Sequence, residues 1–92
     1  MSATAYVRHT VADYDAWRRV YDSDAVVQLQ NSGGVTAKSV HRLVGDGNDL
    51  MVVHSFDSVS AAEAFLHSDG LRGAMQEAGV TAPPRVEIFE DA

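Results

Sequence analysis

Ninety-two residues of 9.9 kDa leave room for one hydrophobic core, so a single domain spanning residues 1–92 is expected. A formal charge of −6, with seven Lys and Arg scattered along the chain, repels phosphate and argues against a nucleic-acid partner. Cysteine is absent, so disulfides and thiolate metal sites are excluded as staples. Size scaling gives a folded surface of roughly 5,000 Å² against about 14,000 Å² unfolded, a marginal burial for a monomer. Association between chains is the expected remedy.

Ala3 to Thr10 is a first strand, alternating Ala5, Val7 and His9 with Tyr6, Arg8 and Thr10. Asp13 is a plausible N-cap, after which Tyr14, Trp17, Val20, Tyr21 and Ala25 recur at helical spacing and give helix one an aromatic face. Capping residues cluster at Asp22-Ser23-Asp24, which predicts a kink or restart before Asn31-Ser32-Gly33-Gly34 ends the helix. Val35 to Val44 and Leu50 to Asp57 read as strands two and three around a Gly45 to Asp49 turn. That five-residue turn leaves the hairpin register open by one residue. Ser60 to Glu63 has capping-box spacing, with Ser58 a rival cap, and Val59, Ala62, Phe65 and Leu66 share one face. A bend at Ser68-Asp69-Gly70 precedes Leu71, Ala74, Met75 and Ala78, Gly79 ends that helix, and Val86 and Ile88 mark a last strand beyond Pro83-Pro84.

The resulting order is βαββαβ, an α+β, ferredoxin-like arrangement of four antiparallel strands with helices on one face. Strand three is apolar on both alternating sets, Leu50, Val52 and Phe56 against Met51 and Val53, so the uncovered sheet face needs a cover. A second copy of the sheet is the simplest one, hence an expected homodimer. The first residues show no basic segment followed by an apolar one, and no apolar run reaches about 18 residues. A cytoplasmic location and no membrane association are expected.

Three histidines fall on strands. His9 and His54 sit on neighbouring strands and are expected to reach one substrate as acid-base groups, since imidazole titrates near neutral pH. The competing reading is a hydrogen-bonded core or interface histidine. Arg8 is expected to steady a substrate anion, and Trp17, Tyr21, His41 and Phe56 to form the binding surface, with His41 free to face either way. An aromatic stripe on a helix is also the ordinary way to pack on a sheet. Strand histidines without a carboxylate at ligand spacing match zinc or iron poorly, so no metal is expected. Ser39 and Ser55 lack a nucleophile-elbow setting, and His67 falls on a polar helix face.

The chain resembles the dimeric α/β-barrel superfamily, and within it the antibiotic-biosynthesis-monooxygenase-like and cyclase-like small proteins. The likeness runs through Val7-Arg8-His9-Thr10-Val11 into Asp13-Tyr14-Asp15-Ala16-Trp17, through Phe56 to Leu71, and ends at Gly79-Val80 and Val86-Glu87-Ile88-Phe89. It implies two sheets packed face to face and a pocket for a small aromatic or polyketide-like ligand. It also implies monooxygenase or cyclase/isomerase chemistry without a cofactor, the substrate anion itself activating oxygen; the alternative is a non-catalytic ligand-binding or stress-related barrel. The haem-degrading branch carries an Asn on the first strand, where this chain has Arg8 and His9, so haem degradation is not implied.

Overall fold

The computed structural model describes residues 1–92. Strand β1 (Ala3–Thr10) leads into helices α1 (Tyr14–Tyr21) and α2 (Asp24–Ser32), followed by the hairpin β2 (Val35–Leu43) and β3 (Asp46–Phe56). Helices α3 (Val59–Leu66) and α4 (Asp69–Glu77) then return the chain to β4 (Arg85–Glu90). The sheet order is β2-β3-β1-β4, every pair antiparallel, which is the ferredoxin-like topology read from the sequence.

Both helical crossovers are broken by serine caps. Asp13 accepts from the Ala16 amide at 3.0 Å to start α1; at the Asp22-Ser23 break, Ser23 accepts from Val26 and starts α2. The second crossover begins at Ser58, not at the Ser60–Glu63 box: Ser58, with extended backbone, accepts from the Ala61 amide at 3.1 Å. Ser60 is thereby inside the helix, because the chain leaves β3 in a conformation that already suits a cap two residues earlier. Ser68 repeats the device for α4 by accepting from Leu71.

The hairpin turns sooner than its glycines suggest. Val44 and Gly45 make the turn, Gly45 with φ of 93°, and β3 starts at Asp46 instead of Leu50. Leu43 pairs with Asp46 while Arg42 pairs with Leu50, so residues 47 to 49 stand outside the β2 ladder. The excursion serves the other side of the strand: the Asn48 carbonyl accepts from the Val11 amide and its side-chain oxygen from the Tyr14 amide, tying the β1–α1 junction down.

On the helix-facing side, Ala3, Ala5, Val7 and His9 of β1 lie beside Leu50, Val52, His54 and Phe56 of β3, all buried. Leu50 and Phe56 are the largest wholly enclosed side chains, each contributing about 1.5–3 kcal/mol through burial. One cluster gathers Val7, Trp17, Tyr21 and Leu50, and a second gathers Ala5, Phe56, Ala62 and Phe65. His54 bridges them, its ring 6.2 Å from Tyr21 and 5.8 Å from Phe65. The other sheet face carries no helix and presents Tyr6, Met51, Val53 and Phe89, with Tyr6 and Phe89 edge to face at 5.6 Å. The folded surface is 5447 Å².

Candidate functional site

A cavity lies between the sheet and the helices, walled by β1, β3 and all four helices. It holds about 480 Å³ between atoms, part of it open to solvent, and about 50 Å³ can be reached by the centre of a water molecule. A water needs about 10–15 Å³ by the second measure, so the enclosed part suits a few waters or a ligand of one or two rings. Twelve of its fifteen lining residues are hydrophobic, and the polar exceptions are His9, Gln30 and His54.

His9 and His54 therefore share one cavity, as the period-two alternation of adjacent strands requires. His9 lies opposite Leu50 and His54 opposite Ala5, so the two imidazoles are offset along the strands, not side by side. The aromatic face of α1 fills the interval. The His9 ring meets Trp17 edge-on at 5.7 Å, Trp17 stacks on Tyr21 at 4.8 Å, and the Tyr21 hydroxyl lies 3.0 Å from His54 Nε2.

The electrostatics of the two histidines follow from burial. Desolvation lowers the His9 pKa against a weaker upward pull from Asp49, and lowers that of His54 to about 4, with the Lys38 charge acting in the same direction. Both are neutral imidazoles at pH 7. Neither ring nitrogen of His9 has a hydrogen-bond partner, nor does His54 Nδ1, although all three are buried. Leaving a buried polar atom unpaired costs about 1–3 kcal/mol, a cost that a folded core normally avoids.

The remaining expected site residues are distributed differently. Trp17 and Tyr21 line the cavity. Phe56 does not; it packs behind, edge-on to His54 at 6.4 Å, as core. Arg8 is removed from the site because alternation sends it to the opposite sheet face from His9, where it forms a two-pronged ion pair with Asp49 at 3.1 and 2.9 Å. His41 is on that open face too: it pairs with Met51 and reaches Ser39 at 2.9 Å. The early turn fixes this register, and neither Arg8 nor His41 meets the cavity. His67 is exposed.

Two polar residues of the site escaped the sequence reading. Gln30, 3% exposed, lines the cavity from α2, and its side-chain carbonyl accepts from the Lys38 ammonium at 2.8 Å. Lys38 stands opposite His54 on β2 and lies over the Tyr21 ring at 5.3 Å, with Arg18 over the same ring at 5.4 Å. The available signal was positional: Lys38 alternates with Val40 on the helix-facing side, and Gln30 follows Val26 by one helical turn.

No family model matches the chain, and no curated protein matches it in sequence. Solved structures do. A protein from Caulobacter crescentus assigned as an antibiotic biosynthesis monooxygenase superposes with a TM-score of 0.76 at 14% identity, covering 99% of this chain and 90% of its own. One from Bordetella bronchiseptica with the same assignment gives 0.77 at 12% identity, covering 99% and 97%. SnoaB, a cofactor-independent oxygenase from Streptomyces nogalater, gives 0.76 at 15% identity, covering 99% and 93%. Near-complete coverage at both ends shows that the chain shares the ferredoxin-like fold of these proteins.

Proposed function

We propose that the chain is a small-molecule enzyme that oxidises a phenol of one or two rings with dioxygen and no cofactor. The observation that carries the reading is the pair of neutral, incompletely partnered imidazoles buried in the wall of a mostly apolar cavity between sheet and helices. The fold shared with a cofactor-independent oxygenase supports it. Neutral His9 accepts the phenolic proton on a ring nitrogen that no protein group occupies. The phenolate then reduces dioxygen. The phenolic and para ring hydrogens leave with one oxygen atom as water, and the other oxygen atom becomes the second carbonyl of a quinone. Trp17 and Tyr21 hold the ring by its faces and edges, and the apolar wall excludes bulk water from the electron-rich intermediate. A polycyclic polyketide exceeds the cavity, so the smaller phenols are favoured.

The same proton abstraction serves a cyclase or isomerase, which needs no dioxygen. A purely binding role is the second reading, favoured by how completely neighbouring side chains cover the free imidazole nitrogens. We read the chain as one domain acting as a homodimer in the cytoplasm, with the apolar sheet face against its copy. Hydroxynaphthalenes supplied to the purified protein test these readings. Dioxygen uptake with equimolar quinone, lost in His9→Gln, is expected; rearrangement without uptake identifies the isomerase, and binding without turnover identifies the binder. No binding of any phenol refutes all three.

A further inference from the structure

Lys38, Gln30, Tyr21 and His54 form a polar chain that runs from the surface to the cavity, and its direction is determined by its first member. An ammonium can only donate. The Gln30 carbonyl therefore faces Lys38 at 2.8 Å, which turns the amide NH₂ away from Lys38 and toward the cavity that Gln30 shares with Tyr21. A Tyr21 oxygen that receives this amide has one acceptor within reach for its O–H, His54 Nε2 at 3.0 Å. An Nε2 that accepts leaves the proton of neutral His54 on Nδ1, the atom for which the folded chain provides no partner.

We propose that Lys38 is a positioning residue that holds His54 as the Nδ1–H tautomer through Gln30 and Tyr21, making His54 a hydrogen-bond donor to an oxygen of the bound ring. The ligand class is narrowed accordingly to aromatics bearing a carbonyl or ionised oxygen at the His54 end and a phenolic O–H at the His9 end. The two histidines thus divide the work: His9 is the proton acceptor and His54 the donor that steadies the developing oxyanion. The ligand part rests on the phenol-oxidising reading, whereas the tautomer is a property of the ligand-free protein.

The charge at position 38 provides a test by reversal. A carboxylate there accepts from the Gln30 NH₂, which flips the amide, presents its carbonyl to the Tyr21 O–H and leaves the Tyr21 oxygen to accept from His54 Nε2–H. Histidine ring ¹⁵N–¹H correlation spectra, recorded near pH 8 where His54 is neutral, assign the protonated nitrogen directly. The wild type and Lys38→Arg are expected to show Nδ1–H, and Lys38→Glu to show Nε2–H, with unchanged melting curves confirming the fold. Lys38 is exposed, so these variants leave the core intact. An Nε2–H wild type, or a Lys38→Glu spectrum identical to the wild type, overturns the proposal whatever the protein turns over. A correct tautomer with no affinity for 4-hydroxyacetophenone overturns only its ligand part.

Discussion

Acidification is expected to destabilise this protein before Asp49 and Asp91 take up protons. The folded pKa of His54 lies near 4, below the ordinary 6.5, because burial and the Lys38 charge both disfavour the imidazolium. As pH falls, the unfolded chain takes up this proton first, so stability is complete above about pH 6.5 and is lost between there and about pH 4. Linkage puts the loss from this one group at about 2 kcal/mol by about pH 5 and about 3 kcal/mol by about pH 4. His9 is shifted in the same direction and adds to the slope. Asp49 and Asp91 have pKa values lowered below the usual 3.8, chiefly by hydrogen bonds from Arg8 and from Thr4, so their losses belong to more acidic solutions. Urea denaturation at half-unit pH steps, on wild type and on His54→Gln, separates the contribution. The glutamine carbonyl can take the Tyr21 hydroxyl but cannot titrate, so its stability curve is expected to be flatter between about pH 6.5 and 4. Parallel curves for the two proteins would refute the assignment, as would an NMR titration of His54 with an ordinary midpoint.

Three further changes probe other parts of the structure. His9→Leu removes two unpaired buried nitrogens at similar volume and is expected to stabilise the protein by about 1–3 kcal/mol in denaturant titrations while abolishing phenol turnover. Gly33→Ala drives a methyl group into the Phe65 ring beside the α2 terminus, although the backbone φ of −80° suits any residue. Its melting temperature is expected to fall by an amount corresponding to about 1–3 kcal/mol. Val53→Lys places an ammonium in the middle of the open sheet face; light scattering at micromolar concentration is expected to give twice the chain mass for the wild type and the chain mass for the variant. A wild-type monomer removes the homodimer from the functional reading.

The sequence conveyed the fold well because its local signals agreed with one another. The period-two alternation of Ala5, Val7 and His9, the aromatic stripe of α1 and the serine caps all point to the same layers. Parity did the same for the site: His9 and His54 could be assigned to one face because each alternates with residues of opposite character. Arg8 was misplaced through neglect of the same parity, since a residue adjacent to His9 on a strand must face away from it. His41 and the start of β3 depended on the turn, and a run containing Gly45 and Gly47 offers more than one place for positive φ. Gln30 and Lys38 were invisible for a different reason. Their importance comes from a contact between α2 and β2, eight residues apart in sequence, and polar residues at such positions carry no periodic signal.

The cavity draws its wall from both crossovers, α1 and α2 from the first and α3 and α4 from the second, so it exists only when both halves of the chain are assembled. Any molecule that occupies it is consequently linked to global folding, not to the order of one loop. By mass action, a ligand at a hundred times its dissociation constant adds about 2.7 kcal/mol to the unfolding free energy. For a domain of this size each kcal/mol moves the melting temperature by about 4–8 °C, so the shift is of order ten degrees or more. The protein's own melting curve is thus a reporter of what it binds, and a library of aromatic acids, phenols and quinones can be ranked by it before any reaction is known.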